Sequence, residues 1–153
     1  GPNDNFELQS SHVLPALIRK FHEAKVNNTD FIEVWGSGNP KREFLFVEDL
    51  ADACVYLLEN IDAETLYDKM SISHINIGCG EDLAIADLAC IIRDIIDYKG
   101  EIKYDSSKPD GTSRKLLDIT RLKTLGWLAT TTLEEGIKKS YDRYLNNHAD
   151  MKN

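Results

Sequence analysis

His12 sits in the polar run QSSH, immediately ahead of an apolar pattern with helical spacing. Free N–H groups at a helix start and neighbouring hydroxyls can hold an imidazole in one tautomer, and an ordinary pKa of about 6.5 suits proton transfer at neutral pH. The same spacing also describes a solvated or capping histidine. A second group is cationic: Arg19 and Lys20, Lys41 and Arg42, Lys108, Arg114 and Lys115 stand beside turns in a chain with 18 Lys and Arg against 26 Asp and Glu. A pyrophosphate needs convergent donors of this kind, with Arg supplying the planar two-pronged contact. Trp35 lies within seven residues of Arg42, which would set an aromatic face for a base or sugar beside a fork for phosphate. The alternative is a core tryptophan among solvated surface charges, and the spacing leaves both open.

Other motifs carry less. The pairs Gly36/Gly38 and Gly78/Gly80 are fragments of the pattern that brings backbone N–H groups to a dinucleotide pyrophosphate. Lys41 and Leu83 occupy the third glycine positions, and no helix is expected after the first pair. Both pairs read as ordinary turns, so the chain has no nicotinamide-binding fingerprint of its own. The histidines at 12, 22, 74 and 148 show neither HxH nor HExxH spacing, and no metal site is expected. Cys54, Cys79 and Cys90 are odd in number and form no CxxC, which argues against a disulfide framework or zinc site and for a reducing cytosol.

The elements that must position these residues alternate between helical and strand-like patterns, with no repeats, and read as α/β or α+β. A helix over 13–26 would bury Leu14, Leu17, Ile18 and Phe21, with Arg19 and His22 opposite and Lys20 at the flank. FIEVWG (31–36) and EFLFV (43–47) read as strands, and Asp49 as the N-cap of a helix to about 59 whose stripe Leu50, Ala53, Cys54, Leu57 and Leu58 makes Cys54 core. HINIG (74–78) reads as a strand after a connection at 62–72. The clearest amphipathic helix is 84–97, with Ile85, Leu88, Ile92, Ile95 and Ile96 on one face and Cys90 on the other. EIKY (101–104) suggests a strand before the Pro-Asp-Gly turn of SSKPDGTSRK. A short helix should run from Asp118 and stop at Gly126, and Thr132 with Glu135 has capping-box spacing for a last helix that buries Leu133, Ile137, Tyr141, Tyr144 and Leu145. Residues 149–153 read as a frayed tail, leaving 1–148 as the folded portion.

The chain has 153 residues, 42% hydrophobic, with a formal net charge of −8. That suffices for one globular domain with a core. No apolar run approaches the roughly 20 residues that cross a bilayer, and GPNDNFELQSSH lacks the basic start and apolar core of a signal peptide. The reading is a cytoplasmic protein with no membrane partner. The acidic balance argues against nucleic acid.

GPNDNF, SSHVLPALIRKFHEA, EVWGSGNPKREFLFVEDLADA, HINIGCGED, SKPDGTSRKLLD and LGW, in this order over nearly the whole chain, together resemble the C-terminal half of the GDP-L-fucose synthase family of extended short-chain dehydrogenases/reductases. REFLFVEDLADA and LGW look like features of the wider nucleotide-sugar branch, whereas SHVLPALIRKFHEA with SKPDGTSRK is the more specific combination. The resemblance implies an α/β fold, α+β-like in this substrate portion, without most of the Rossmann domain. It implies 3,5-epimerisation of GDP-4-keto-6-deoxymannose followed by NADPH-dependent reduction, with NADP held mainly by the other half, and a homodimeric intact enzyme. His12 matches the acid/base histidine and a contact to the nicotinamide cofactor; Lys20, Trp35, Arg42 and Asp110 match contacts to the GDP-sugar, and Lys115 a further basic position near the nucleotide. None of the three cysteines matches the catalytic one. Lys20 stands where many relatives carry Arg, and Phe46 where His or Tyr is common. The reduction centre and catalytic cysteine are missing, so this chain alone is expected to be inactive. The helix at 49–60 or at 84–97 is expected to expose an apolar face. Two rivals remain: a 4,6-dehydratase or 4-epimerase of another nucleotide sugar, and a stand-alone binding module.

Overall fold

The computed structural model describes residues 1–149. Helix α1, Val13–Val26, forms where its apolar spacing lets Leu17, Ile18, Phe21 and Ala24 face inward, with Pro15 in the first turn where its missing N–H costs nothing. Strand β1, Phe31–Trp35, alternates so that Ile32 and Val34 are buried while Phe31, Glu33 and Trp35 face out. It pairs in parallel with β4, Glu101–Asp105, in a register running from Phe31 opposite Glu101 to Trp35 opposite Asp105. Helix α3, Ile85–Ile96, packs against α1, and α5, Leu133–Ala149, packs on α3. The main core is thus built from Phe21, Ile32, Val34, Leu88, Ile92, Ile96, Ile137 and Tyr144.

A second layer is smaller. Strand β2, Lys41–Glu43, lies between antiparallel β3, Asp82–Ala84, and parallel β5, Arg114–Lys115. Helix α2, Val47–Asn60, presses Ala53 onto Ile119, Leu122 of α4 (Thr120–Thr124) and Trp127, whose indole N–H donates to Asp52 at 2.8 Å.

Several local expectations change. The strand expected over 43–47 is at 41–43, because only there do β3 and β5 supply ladders. Asp49 is not an N-cap: α2 starts at Val47, and the Asp49 carboxylate, 7% exposed, accepts the Thr131 N–H at 2.9 Å and the Thr130 and Thr131 hydroxyls at 3.3 and 3.0 Å. Residues 74–78 form no strand, since no neighbouring strand pairs with them; Ile75 and Ile77 pack on the second cluster. Residues 65–69, inside the expected connection, make a π-helical turn. Cys54 is exposed rather than core, on the outer side of α2. The helix near Asp118 starts at Thr120, with Asp118 accepting the Thr120 N–H at 2.9 Å, and Gly126 follows it at φ +96°. The capping box forms: Thr132 N–H and hydroxyl both donate to Glu135, and the Glu135 N–H donates back. Of the expected tail, residues 150–153 lie outside the described residues.

Candidate functional site

The turn Glu7–Ser11, closed by Ser10 and Ser11 N–H groups on the Glu7 carbonyl, delivers His12 to the position before α1. The His12 carbonyl accepts the Ala16 N–H at 3.1 Å, while its ring is exposed and makes no capping bond. The imidazole is therefore available for chemistry rather than consumed as a cap.

Two turns along α1, Lys20 donates from Nζ to the Glu33 carbonyl at 2.9 Å and stands 5.2 Å from the centroid of the Trp35 ring. Burial pushes the Lys20 pKa down, partly offset by Glu33. Strand alternation turns Trp35 outward, 60% exposed, which removes the core-tryptophan alternative; Trp127 is the buried one. Lys108 approaches the same ring, at 5.6 Å. Ser11, Ala16, Lys20, Val34, Trp35 and Ile85 border a cavity of about 270 Å³. The Ser11 hydroxyl is buried without a hydrogen-bond partner among the described residues, which is unusual for a buried polar atom.

The other cations sort by strand face. Arg42 lies opposite Lys115 in the β2–β5 register, and Lys41 opposite Arg114. Paired residues share a face, so the two cation pairs point to opposite sides. On one side Arg114 is neutralised by Asp82, at 2.5 Å from Nε, and this contact holds the Asp82 carboxyl below the usual range. On the other, Arg42 donates to the Lys41 carbonyl at 2.7 Å, and neither it nor Lys115 makes an ion pair among the described residues. Like charges directly across a ladder repel, so this face favours an anion. Arg19 is tied down by Glu7, Glu23 and the Phe6 carbonyl.

Asp110 is spoken for within the fold. Its carboxylate accepts the Ser37 N–H at 2.6 Å and the Ser37 hydroxyl at 2.7 Å, bonds that keep its pKa below the usual range. Gly36, at φ +84°, is needed there because a Cβ would run into the Asp110 carboxylate. The next residue, Gly111, lies beside the Arg42 guanidinium, so this loop joins the Trp35 region to the Arg42–Lys115 face. Glu43 was no candidate in the sequence, yet it accepts the Gly80 N–H at 2.7 Å and the Leu117 N–H at 3.0 Å, locking β2 to both flanking segments. An acidic residue next to Arg42 in a strand was the available signal. Ser11 gave none beyond its place beside His12. Among the described residues no three His, Cys, Asp or Glu side chains gather as a metal group, and no helix is long and apolar enough to cross a membrane.

The family model for the NAD dependent epimerase/dehydratase family matches residues 1–78. The chain is 48% identical to GDP-L-fucose synthase 1 of Arabidopsis thaliana, over 96% of this chain and 43% of that protein. It is likewise 48% identical to GDP-L-fucose synthase of Escherichia coli (strain K12), over 96% of this chain and 46% of the relative. A solved GDP-L-fucose synthetase from Naegleria fowleri bound to NADP superposes with a TM-score of 0.86 at 30% identity, covering 97% of this chain and 44% of the other. The chain thus spans about half the length of the curated relatives it matches.

Proposed function

This chain belongs to the NAD dependent epimerase/dehydratase family, and on that premise we propose that residues 1–148 are the substrate-binding half of a GDP-L-fucose synthase. The intact enzyme converts GDP-4-keto-6-deoxy-D-mannose to GDP-L-fucose by 3,5-epimerisation and NADPH-dependent reduction. One observation carries the reading: an exposed Trp35 flanked by ammonium groups is linked through the Ser37-bound Asp110–Gly111 loop to an Arg42–Lys115 face without an ion pair among the described residues, cations and an aromatic face of the kind a nucleoside diphosphate requires. Lys20, Trp35, Arg42 and Lys115 bind the GDP-sugar in this reading. Asp110, assigned as a contact from the resemblance, serves it through Ser37.

His12 is the proton carrier. A ketone acidifies the adjacent C–H bonds, and inversion needs one group to remove the proton and another to return it on the opposite face. The exposed imidazole ahead of α1 supplies one of these; the second belongs to the half that this chain does not span. In a histidine role of this kind the neutral ring accepts the carbon-bound proton and the charged ring donates it. NADP supplies hydride when bound, but the residues present do not form a cradle for its pyrophosphate: both Gly-x-Gly turns run into strands, β2 and β3, rather than directly into a helix. NADP is assigned to the other half, with His12 as the one contact from this chain, and the chain alone is inactive.

The outer ridge of α2 packs against that other half, and the intact enzyme is a cytoplasmic homodimer. The exposed apolar residues of α2 support the first point. Calorimetric titration of the chain with GDP tests the site. GDP is expected to bind and Arg42→Ala to lose at least about tenfold in affinity, as removal of a charge-assisted phosphate contact should. Preference for UDP or dTDP would overturn the substrate, and a folded chain that ignores all three would overturn a site confined to this half.

A further inference from the structure

The connection between β4 and β5 is fixed at its start, middle and end. Immediately after β4, Gly36 N–H donates to the Asp105 carbonyl at 2.9 Å, Ser107 donates to the Asp105 carboxylate from N–H at 3.0 Å and from Oγ at 2.6 Å, and Lys108 N–H closes a turn on the Asp105 carbonyl at 3.1 Å. In the middle, Asp110 is bound to both donors of Ser37. At the far end, Lys41 N–H donates to the Ser113 carbonyl at 2.8 Å. Asp105 is the register partner of Trp35. The turn that ends at Lys108 is therefore set beside the tryptophan by the β1–β4 ladder itself.

The side-chain chemistry matches. Lys108 Nζ lies 5.6 Å from the Trp35 centroid and makes no ion pair among the described residues, and Lys20 Nζ reaches the ring at 5.2 Å. Of the carboxylates that flank it in sequence, Asp110 is bonded to Ser37 and Asp105 to Ser107. Two ammonium groups at one exposed ring repel each other, and an anion between them relieves that repulsion. Lysine also suits such a place, as a compact charge on a flexible stem that can move from a ring to a phosphate.

We propose that Lys108 is a further ligand-contacting residue, which binds the diphosphate of a nucleoside diphosphate beside Trp35, and that Asp110 is the positioning residue that holds its loop there. The assignment rests on the GDP-binding reading above and deepens it. Asp110 then acts on the second phosphate through the loop that carries Lys108. Removing either residue should have the same consequence, and removing both should add little.

The test measures GDP and GMP affinities by calorimetry for the chain and for Lys108→Ala, Asp110→Ala, the double variant and Arg42→Ala, with far-ultraviolet circular dichroism and thermal midpoints as fold controls. Lys108→Ala is expected to weaken GDP about tenfold more than GMP, since the second phosphate loses a charge-assisted contact. Asp110→Ala should lower the same GDP-to-GMP preference, and the double variant should match the single ones. Asp110→Asn, which keeps an acceptor for Ser37, should retain most of the preference; this second variant separates loop tethering from loss of fold. Unchanged GDP and GMP affinities in Lys108→Ala, with Arg42→Ala still losing GDP, would overturn the Lys108 assignment and leave the GDP site standing. Multiplying losses in the double variant would overturn the positioning role of Asp110. No GDP binding by the unaltered chain would overturn both.

Discussion

Helices α2 and α3 are alike in length, 14 and 12 residues, and both carry apolar stripes, yet they are used differently. α3 behaves as a surface helix should: Leu88, Ala89, Ile92 and Ile96 are in the main core. α2 buries Asp49 and Ala53 on its inner side, while Val47, Leu50, Cys54, Val55 and Leu58 lie exposed along the outer one, Leu58 at 85%. The exposed apolar side chains of α2 form a ridge along one side of the helix. The contrast shows that hydrophobic spacing states which side chains want cover, not which part of the chain provides it.

The largest effect expected from this contrast is in α3. Ile92→Ala should cost about 2–5 kcal/mol, because the fully buried side chain leaves a cavity between α1 and α3. Urea unfolding followed by circular dichroism measures it. A loss below about 1 kcal/mol would mean that α3 is loosely packed and the contrast with α2 overstated.

On the inner side of α2 the comparison sharpens through a polar group. Asp49→Ala would strip the Thr131 N–H and the Thr130 and Thr131 hydroxyls of their acceptor. Leaving such donors without a partner costs about 1–3 kcal/mol, and the same urea series reads it. Asp49→Asn, retaining one acceptor oxygen, should recover part of the loss.

These two sites also show what could be read from the residues alone. The α3 stripe was legible because every inward residue is covered within this chain, so period and burial agree. The capping box at Thr132 and Glu135, and the end of a helix before Gly126, were legible because each depends on neighbours three or four residues away. Strand positions were not, since β2 and β3 exist only where distant segments meet, and HINIG has the composition of a strand without a partner. At the site, the cationic residues and Trp35 were visible by type. The sorting of Arg42 and Lys115 onto one face, and the diversion of Asp110 to Ser37, depend on register and loop tethers that spacing does not encode.

A smaller effect should appear at the start of α5, away from both helices. Thr132 N–H and hydroxyl hold Glu135 below its ordinary value near 4.5. A carboxylate with a depressed folded pKa contributes stability that is present above the unfolded value and lost as pH falls through the folded one. The thermal midpoint of Glu135→Gln, which keeps an acceptor for Thr132 but no charge, should therefore fall below that of the unaltered chain at about pH 6 and converge toward it at about pH 3. A gap that persists in acid would place the contribution of Glu135 elsewhere than in its charge.

The smallest effect on stability is expected where the exposed apolar area is greatest, and this inversion is what separates α2 from α3. Leu50→Lys with Leu58→Lys exchanges two solvent-facing side chains on a helix whose inner contacts stay intact. Urea midpoints should move within about 0.5 kcal/mol of the unaltered chain. Self-association, measured by size-exclusion chromatography with light scattering, should fall, because the ridge loses apolar area and gains like charges. If stability instead collapses, the ridge is already covered within the chain in solution. If stability holds and the chain is monomeric with or without the lysines, the ridge drives no association between copies, and its apolar character is left to contact with another surface.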